Sequence, residues 1–267
     1  MADGRRKRRK AHGVNPGPTP QTRSRRRGIY LLPNLFTTAA LFAGFYAIVA
    51  SMGRQFEAAA AAVFIAMLLD GIDGRIARLT NTQTAFGAEY DSLADMISFG
   101  LAPALVMYQW ALSGMGKLGW LAAFIYTAGA ALRLARFNTQ LAVADKRYFQ
   151  GLASPSAAAI VTGLVWVGET YLLQGPWVDR LALAVTIAAG LLMVSNVRYY
   201  SFKGIDFRGK VPFVAILLVV LVLVLISYDP PLVLFSVFAL YALSGPVLTL
   251  VQLRRRRAAR RPRGEAR

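Results

Sequence analysis

The sequence predicts an all-α, polytopic membrane protein in which eight helices cross the bilayer. Hydrophobic residues make up 56% of the 267-residue chain and charged residues only 16%, and the apolar residues lie in long blocks, as is typical of membrane proteins. Each block is close to the ~20 residues with which a helix crosses the hydrocarbon core of a bilayer.

The chain divides into a transmembrane domain, residues 29–252, and two basic tails. Residues 1–28 are rich in Arg, Pro and Gly without apolar periodicity, which predicts a disordered tail, and residues 253–267 form the second tail. The predicted spans are 29–51, 57–79, 91–112, 118–138, 155–174, 180–198, 211–228 and 231–252. The last two are separated only by the helix-breaking turn 228–231, which contains two prolines.

The distribution of basic residues supports the even number of spans. With eight spans both tails lie on one side of the membrane, and that side receives 28 of the 31 Lys and Arg residues, whereas the opposite side receives Arg54, Lys117 and Arg180. The positive-inside rule then predicts cytosolic termini in a cell (inner) membrane. The net charge of +18 lies mostly in these tails, which favours anionic lipid headgroups over nucleic acid as its partner.

The residue types present narrow the possible chemistry. The chain has no cysteine, which excludes disulfides, thiolate zinc sites and cysteine nucleophiles. Its single histidine, His12, lies in the first tail. Catalysis, if present, therefore depends on carboxylates, hydroxyls, basic residues and metal ions.

Five of the 13 acidic residues occur between positions 70 and 95, and four of them are aspartates in or beside the second and third predicted spans. Asp70 and Asp73 are three positions apart and therefore share a helix face. Asp91 and Asp95, four positions apart, also share one. The loop between the two spans is short, so the helices are antiparallel neighbours whose faces can converge. Four carboxylates repel one another, and hard divalent cations such as Mg²⁺ or Mn²⁺ would relieve that repulsion.

The spacing alone leaves other interpretations open. The acids can form structural ion pairs with Arg75, Arg78 or a distant arginine, or they can line a cation pathway in an ion-coupled transporter. A transporter predicts an inverted repeat with a second interrupted helix pair, and predicted spans five to eight contain no second acidic pair. A purely structural membrane protein leaves the carboxylates unexplained, since charges within a bilayer are costly.

The segment 70–95 resembles the signature of the CDP-alcohol phosphatidyltransferase family, D-x-x-D-G-x-x-A-R-x8-G-x3-D-x3-D. Every fixed position of that pattern matches: Asp70, Asp73, Gly74, Ala77, Arg78, Gly87, Asp91 and Asp95. In this family a hydroxyl attacks the phosphorus of CDP-diacylglycerol or a CDP-alcohol, and CMP leaves. The resemblance implies the membrane fold of that family, a homodimer, and two divalent cations, Mg²⁺ or Mn²⁺.

The resemblance also implies roles for the carboxylates. Asp70, Asp73 and Asp91 are expected to be metal ligands, and Asp95 is expected to be a ligand or the general base that takes the proton of the attacking hydroxyl. A base beside two cations has a lowered pKa, so the base role of Asp95 is a hypothesis. We therefore expect Asp91 and Asp95 to be the residues closest to the chemistry.

A second group of residues is expected to contact the nucleotide. Residues 33–37, Pro-Asn-Leu-Phe-Thr, resemble the P-N-x-x-T element of the family, which lies near the nucleotide. Glycines 74 and 87 lack side chains, so a phosphate or cytidine can approach the backbone closely. The nucleotide-binding residues implied in this way are Asn34, Thr37, Gly74, Ala77, Arg78 and Gly87.

Three segments, 98–104, 133–138 and 149–155, resemble the branch of the family that uses serine as the acceptor, as do the residues after the sixth span. Arg133 and Arg136 lie three positions apart and are expected to bind the carboxylate of serine or the phosphate of the lipid. Arginines at the cytosolic end of a span are also expected from charge bias alone. The residues expected at the acceptor or lipid-phosphate site are Ser98, Arg133, Arg136 and Asn138.

The predicted reaction is the transfer of the phosphatidyl group of CDP-diacylglycerol to the hydroxyl of L-serine, which yields phosphatidylserine and CMP. The active site is expected to face the cytosol, where serine and CMP are dissolved. Glycerol 3-phosphate or an inositol compound is the alternative acceptor, although a phosphorylated acceptor calls for a more cationic pocket than two arginines supply. An ion-coupled transporter is the alternative outside the enzyme class.

Overall fold

The computed structural model describes residues 31–80, 84–140, 148–200 and 213–259, so the first tail and the end of the second lie outside the described residues. Within these ranges the chain forms nine α-helices and two short strands. The helices are α1 (Leu31–Met52), α2 (Phe56–Thr80), α3 (Ala85–Asp95), α4 (Ala102–Met107), α5 (Lys117–Gln140), α6 (Ser154–Thr170), α7 (Pro176–Val194), α8 (Phe213–Tyr228) and α9 (Pro230–Ala259), and the strands are β1 (Tyr148–Gln150) and β2 (Arg198–Tyr200).

Helices α1 and α2 make the most extensive contact between elements of the described chain. The face of α1 that packs against the core carries alanines at 40, 43, 47 and 50, with the spacing of one helical stripe. Alanines at 59, 62 and 66 are buried on α2. Small side chains on both helices allow the backbones to approach closely, as is common between helices within membranes.

The third predicted span is one long helical rod over Ala85–Met115. It is interrupted after α3 by a π-helical segment, Met96–Leu101, and after α4 by a second one, Tyr108–Leu112. A π segment adds a residue to a turn, and therefore changes which side chains face a neighbouring helix. The first of these segments begins directly after Asp95 and packs against α1 and α5.

Helix α6 lies at the centre of the protein, since 13 of its 17 residues are buried. Helices α5 and α7 cross beside it at two glycines, where a Cβ atom added to Gly129 would lie 2.5 Å from the carbonyl oxygen of Gly190. Strand β1 follows α5 in the chain and strand β2 follows α7, and the two strands pair antiparallel. This two-stranded ribbon is the one departure from an all-helical fold in the described chain.

Five of the described helices are long and apolar enough to cross a membrane: Asn34–Met52, Ala85–Met115, Lys117–Thr139, Pro176–Val194 and Pro230–Thr249. The remaining predicted spans coincide with α2, which carries the charged residues of the acidic cluster, with α6, and with α8, which is apolar along its length. Two described helices extend beyond the limits of the predicted spans. Helix α3 begins at Ala85, whereas the third predicted span begins at 91, and α9 continues to Ala259, past the end of the eighth predicted span at 252.

Candidate active site

Three aspartates converge between α2 and α3. One carboxylate oxygen from each of Asp70, Asp91 and Asp95 lies within 4.8 Å of the others, and all three side chains are half-buried. Asp91 and Asp95 are one turn apart on α3, so both point to the same side of that helix. The predicted convergence of the two helix faces is present for these three residues.

The charges around this cluster are unbalanced. The charged groups acting on Asp70 are Asp91 and Asp73, both negative, and a carboxylate oxygen of Asp95 lies within 4.8 Å of those of Asp70 and Asp91. Carboxylates this close repel one another, and a bound cation would relieve that repulsion. Arg133 is the one basic group that acts on Asp95 among the described residues. Clustered carboxylate oxygens are the donor set that Mg²⁺ and Mn²⁺ prefer, so these residues fit a divalent cation.

Asp73 occupies a different environment from the other three. It is only 4% exposed, and its Oδ2 accepts a 2.9 Å hydrogen bond from the Oγ1 of Thr37 on α1. Asp73 is close enough to interact electrostatically with Asp70 and Asp91. It therefore borders the cluster from the side of α1, and Thr37, which the sequence assigns to the nucleotide, contacts a carboxylate.

The residues assigned to the nucleotide surround the same end of α2. A Cβ atom added to Gly87 would lie 3.3 Å from the Oδ1 of Asn34, so α1 and α3 approach each other closely here. A Cβ atom added to Gly74 would lie 4.0 Å from the Nη2 of Arg78, and the Nε of Arg78 donates to the carbonyl oxygen of Gly74 at 2.7 Å. The half-buried Ala77 lies on the same turn.

Tyr90 belongs to this end of the site, although the sequence analysis did not identify it. Its hydroxyl is 2.9 Å from the Oγ1 of Thr38 on α1, and its ring stacks on that of Phe86. The signal that could have found it is its position next to Asp91. Helix α3 is further fixed at its start by Thr84, whose side chain accepts from the backbone N–H of Gly87 at 3.0 Å.

Arg133, within α5, interacts electrostatically with Asp95 of the cluster. Its Nη1 donates to the Oγ of Ser154 at 2.8 Å, and its Nε is buried without a hydrogen-bond partner in the described structure. Ser154 begins α6 and is 1% exposed. A guanidinium that is fixed by one hydrogen bond and keeps an unpaired buried donor is suited to bind an anion.

The other residues assigned to the acceptor make contacts of their own. The Nη1 of Arg136 donates to the carbonyl oxygen of Val194, the last residue of α7, at 3.0 Å, and so caps that helix. Asn138 donates to the Oγ of Ser92 at 3.1 Å. Ser98 is 1% exposed and donates to the carbonyl oxygen of Ala40 on α1 at 3.1 Å. Arg133 is thus the acceptor candidate that the structure associates with Asp95, whereas Ser98 contacts α1.

Comparisons with known proteins identify a family and several relatives that this chain resembles. A family model described as CDP-alcohol phosphatidyltransferase matches residues 30–195, more than half of the chain. A CDP-diacylglycerol–serine O-phosphatidyltransferase from Helicobacter pylori is 38% identical over 218 residues, which cover 81% of this chain and 90% of the relative. An enzyme of the same name from Mycobacterium tuberculosis is 37% identical over 181 residues, 64% of this chain and 62% of the relative. A third, from Methanocaldococcus jannaschii, is 34% identical over 142 residues, 53% of this chain and 63% of the relative.

Proposed function

Because the chain belongs to the CDP-alcohol phosphatidyltransferase family, we propose that it transfers the phosphatidyl group of CDP-diacylglycerol to L-serine. The products are phosphatidylserine and CMP. The observation that carries this proposal is the convergence of Asp70, Asp91 and Asp95 within the stretch that matches the family. The serine acceptor is supported by the relatives named CDP-diacylglycerol–serine O-phosphatidyltransferase, among them one that is aligned over 90% of its length.

In the proposed reaction the hydroxyl oxygen of serine attacks the phosphorus that carries the diacylglycerol. A new P–O bond forms, the P–O bond to CMP breaks, and the electron pair of that bond leaves with CMP. The proton of the serine hydroxyl goes to a carboxylate, and Asp95 is the proposed acceptor because it is the member of the cluster on which Arg133 also acts. Arg133 holds the carboxylate of serine through its unpaired Nε.

Two divalent cations, Mg²⁺ or Mn²⁺, are proposed at the cluster, with Asp70, Asp91 and Asp95 as ligands and Asp73 as a fourth. When bound, they neutralise the pyrophosphate and the charge that develops on the leaving CMP. Thr37 orients the carboxylate of Asp73 through its hydrogen bond, as outer-shell partners of metal ligands commonly do.

The nucleotide is proposed to lie at the α2 end of the site, against Asn34, Thr37, Gly74, Ala77, Arg78 and Gly87. The space beside Gly74 supports this placement, since a Cβ atom added there would approach only the Nη2 of Arg78, at 4.0 Å, apart from the backbone of its own helix. Arg136 and Asn138 are proposed to border the acceptor side. Ser98 is assigned a supporting role there, because its hydroxyl is buried and bonded to α1.

The activity is tested directly by release of CMP. Purified protein in vesicles that contain CDP-diacylglycerol, with Mg²⁺ or Mn²⁺, is expected to release CMP when L-serine is added and to form phosphatidylserine in equal amount. The same assay with glycerol 3-phosphate or myo-inositol is expected to release CMP at background rates. Release with one of those alcohols instead would overturn the serine assignment, and release with no alcohol would overturn the enzyme assignment.

We also propose that eight helices span a cell (inner) membrane. Five of them meet the length and hydropathy expected of a membrane span, and α2, α6 and α8 are the other three. Both tails and the aspartate cluster then face the cytosol, in accordance with the distribution of basic residues. A homodimer is proposed from the family relationship.

Labelling of single cysteines tests this orientation, and the absence of native cysteine makes the experiment simple. With Ser24→Cys in the first tail, a membrane-impermeant maleimide is expected to react only after the membrane is opened. With Ser113→Cys, in the turn that follows the second π segment, it is expected to react in intact cells. The reverse pattern, or reaction of both variants in intact cells, contradicts the proposed topology.

A further inference from the structure

A cavity of about 270 Å³ lies at the end of the helical bundle opposite the aspartate cluster. Its walls come from the turn between α1 and α2, the second π segment, and the end of α6 with the turn that leads into α7. Phe56, which begins α2, lines the cavity, and Asp70 lies about 20 Å further along that helix. In the proposed topology this end of the bundle faces away from the cytosol. The cavity is therefore separate from the proposed active site.

The two turns that line the cavity adopt backbone conformations that side chains rarely take. Arg54 has a φ of 58° and Leu172 a φ of 51°, and these are the two non-glycine residues with positive φ in the described chain. Both line the cavity, as does Gly175 with a φ of 118°. Left-handed backbone at a residue with a side chain is costly, and it persists where the surrounding structure fixes it, often at ligand-binding sites.

One wall of the cavity is built around the indole ring of Trp110, within the second π segment. Its Nε1 donates to the Oε1 of Glu169 at 2.7 Å. A Cβ atom added to Gly168 would clash with the indole ring, so only glycine leaves room for the ring beside α6. The hydrogen bond fixes the carboxylate of Glu169 in the wall, and its second oxygen accepts no hydrogen bond from the residues that the structure describes.

Groups of opposite charge line the cavity without pairing with one another. The guanidinium of Arg54 and the carboxylates of Glu169 and Asp179 all belong to its walls, together with the amide of Gln174. Within the described chain no ion pair joins Arg54 to either carboxylate, and the side chain of Asp179 makes no hydrogen bond. Opposite charges that are held apart in one cavity complement a ligand that itself carries both charges.

The surroundings of the cavity are typical of the region where a bilayer meets water. Tyr171 and Trp177 are exposed beside the turn between α6 and α7, and both residue types are enriched at membrane interfaces. Leu172, which lines the cavity, is also largely exposed. A lipid whose acyl chains lie against these apolar side chains has its headgroup at the depth of the cavity.

We propose that the cavity binds the zwitterionic headgroup of a phospholipid with a primary ammonium group, such as phosphatidylethanolamine. Arg54 holds the phosphate through charge-assisted hydrogen bonds, and the ammonium group donates to Glu169 and Asp179. The walls carry one more negative than positive charge, which disfavours an anionic headgroup. The cavity is smaller than pockets that enclose drug-sized ligands, so it accommodates the headgroup while the acyl chains remain in the bilayer. This binding does not depend on the proposed reaction, and its test measures no turnover.

Thermal unfolding of the full chain in dodecyl maltoside micelles measures the binding. Dihexanoyl phosphatidylethanolamine is expected to raise the melting temperature in a saturable manner, which yields an apparent Kd. Dihexanoyl phosphatidylglycerol, which is anionic, is expected to bind at least about 10-fold more weakly. Equal stabilisation by the two lipids overturns the proposal. Equal stabilisation by glycerophosphoethanolamine, which has the same charged groups without acyl chains, also overturns it, because the occupant is then not a lipid.

Variants that remove one charge locate the binding in the cavity. Arg54→Gln and Glu169→Gln are each expected to raise the Kd for dihexanoyl phosphatidylethanolamine about 10-fold, the loss of one hydrogen bond to a charged group. Glutamine at position 169 keeps an oxygen that accepts from Trp110, so the wall is preserved. Arg180→Gln is the matched control, because Arg180 is exposed on α7 next to Asp179 but does not line the cavity. It is expected to keep the wild-type Kd, and an equal loss of affinity in this control overturns the proposal.

Melting temperatures without added lipid show whether each variant keeps its fold, and all are expected to match the wild type. If Glu169→Gln unfolds early, Asp179→Asn replaces it, since the Asp179 side chain makes no hydrogen bond within the described chain. Its Kd is expected to rise by the same factor of about 10. Wild-type affinity in both Arg54→Gln and Asp179→Asn would place the lipid on another surface and overturn the proposal.

Discussion

Asp91→Asn is expected to lower the rate of CMP release about 1000-fold, since loss of several kcal/mol of transition-state stabilisation by bound metal corresponds to about three decades in rate. Asparagine has nearly the shape of aspartate, so the packing of α3 is preserved. What changes is the charge of a cluster in which three carboxylate oxygens lie within 4.8 Å of one another. The removal of one negative charge weakens the affinity for a divalent cation directly.

The measurement combines turnover with metal binding. Asp91→Asn is expected to bind Mn²⁺ more weakly than the wild type in a titration followed by electron paramagnetic resonance. Glu89→Gln is the matched control, because Glu89 is exposed on the same helix and does not belong to the cluster. It is expected to keep wild-type turnover and metal affinity. Equal losses in both variants would point to a general effect of surface charge, and full activity in Asp91→Asn would remove the cluster from the mechanism.

The convergence of the aspartates is predictable from sequence because it depends on local spacing. Residues three or four apart share a helix face, and a short connection makes consecutive helices antiparallel. These two rules are enough to bring Asp70, Asp91 and Asp95 together. They do not identify the partner of Asp73, because its bond to Thr37 depends on how α1 crosses α2. A crossing angle is decided by the packing of both surfaces and leaves no local pattern.

The acceptor side was predicted less completely for a related reason. Arg133 and Arg136 share a helix face, yet one contacts the start of α6 and the other the end of α7. Their partners come from helices that only the tertiary fold brings near. The ribbon of β1 and β2 was not predicted, since three-residue strands lie below the length at which alternation can be recognised. The π segment after Asp95 likewise has no simple sequence signature.

Gly44 on α1 packs directly against that π segment, and its substitution is expected to have the second large effect. Substitution by alanine would place a Cβ atom 2.5 Å from the Oγ and 2.7 Å from the Cα of Ser98. The hydroxyl can rotate away, but the Cα belongs to the backbone of the segment. Gly44→Ala is therefore expected to destabilise the protein by about 1–3 kcal/mol, the usual cost of overpacking, and to push the segment away from α1.

The shift is expected to reach the active site, because the segment begins at the residue after Asp95. A displacement of about 1 Å at a catalytic group can lower the rate about 100-fold. Gly44→Ala is therefore expected to lose much more activity than the fall in its melting temperature in detergent would explain.

Gly114→Ala is the control, since nothing lies within 4 Å of its added Cβ atom, and it is expected to match the wild type in both activity and melting temperature. Ser98→Ala within Gly44→Ala removes the contact at 2.5 Å but leaves the one at 2.7 Å. It is expected to restore little activity, and full recovery would mean that the hydroxyl alone, rather than the backbone of the π segment, transmits the effect of position 44 to Asp95.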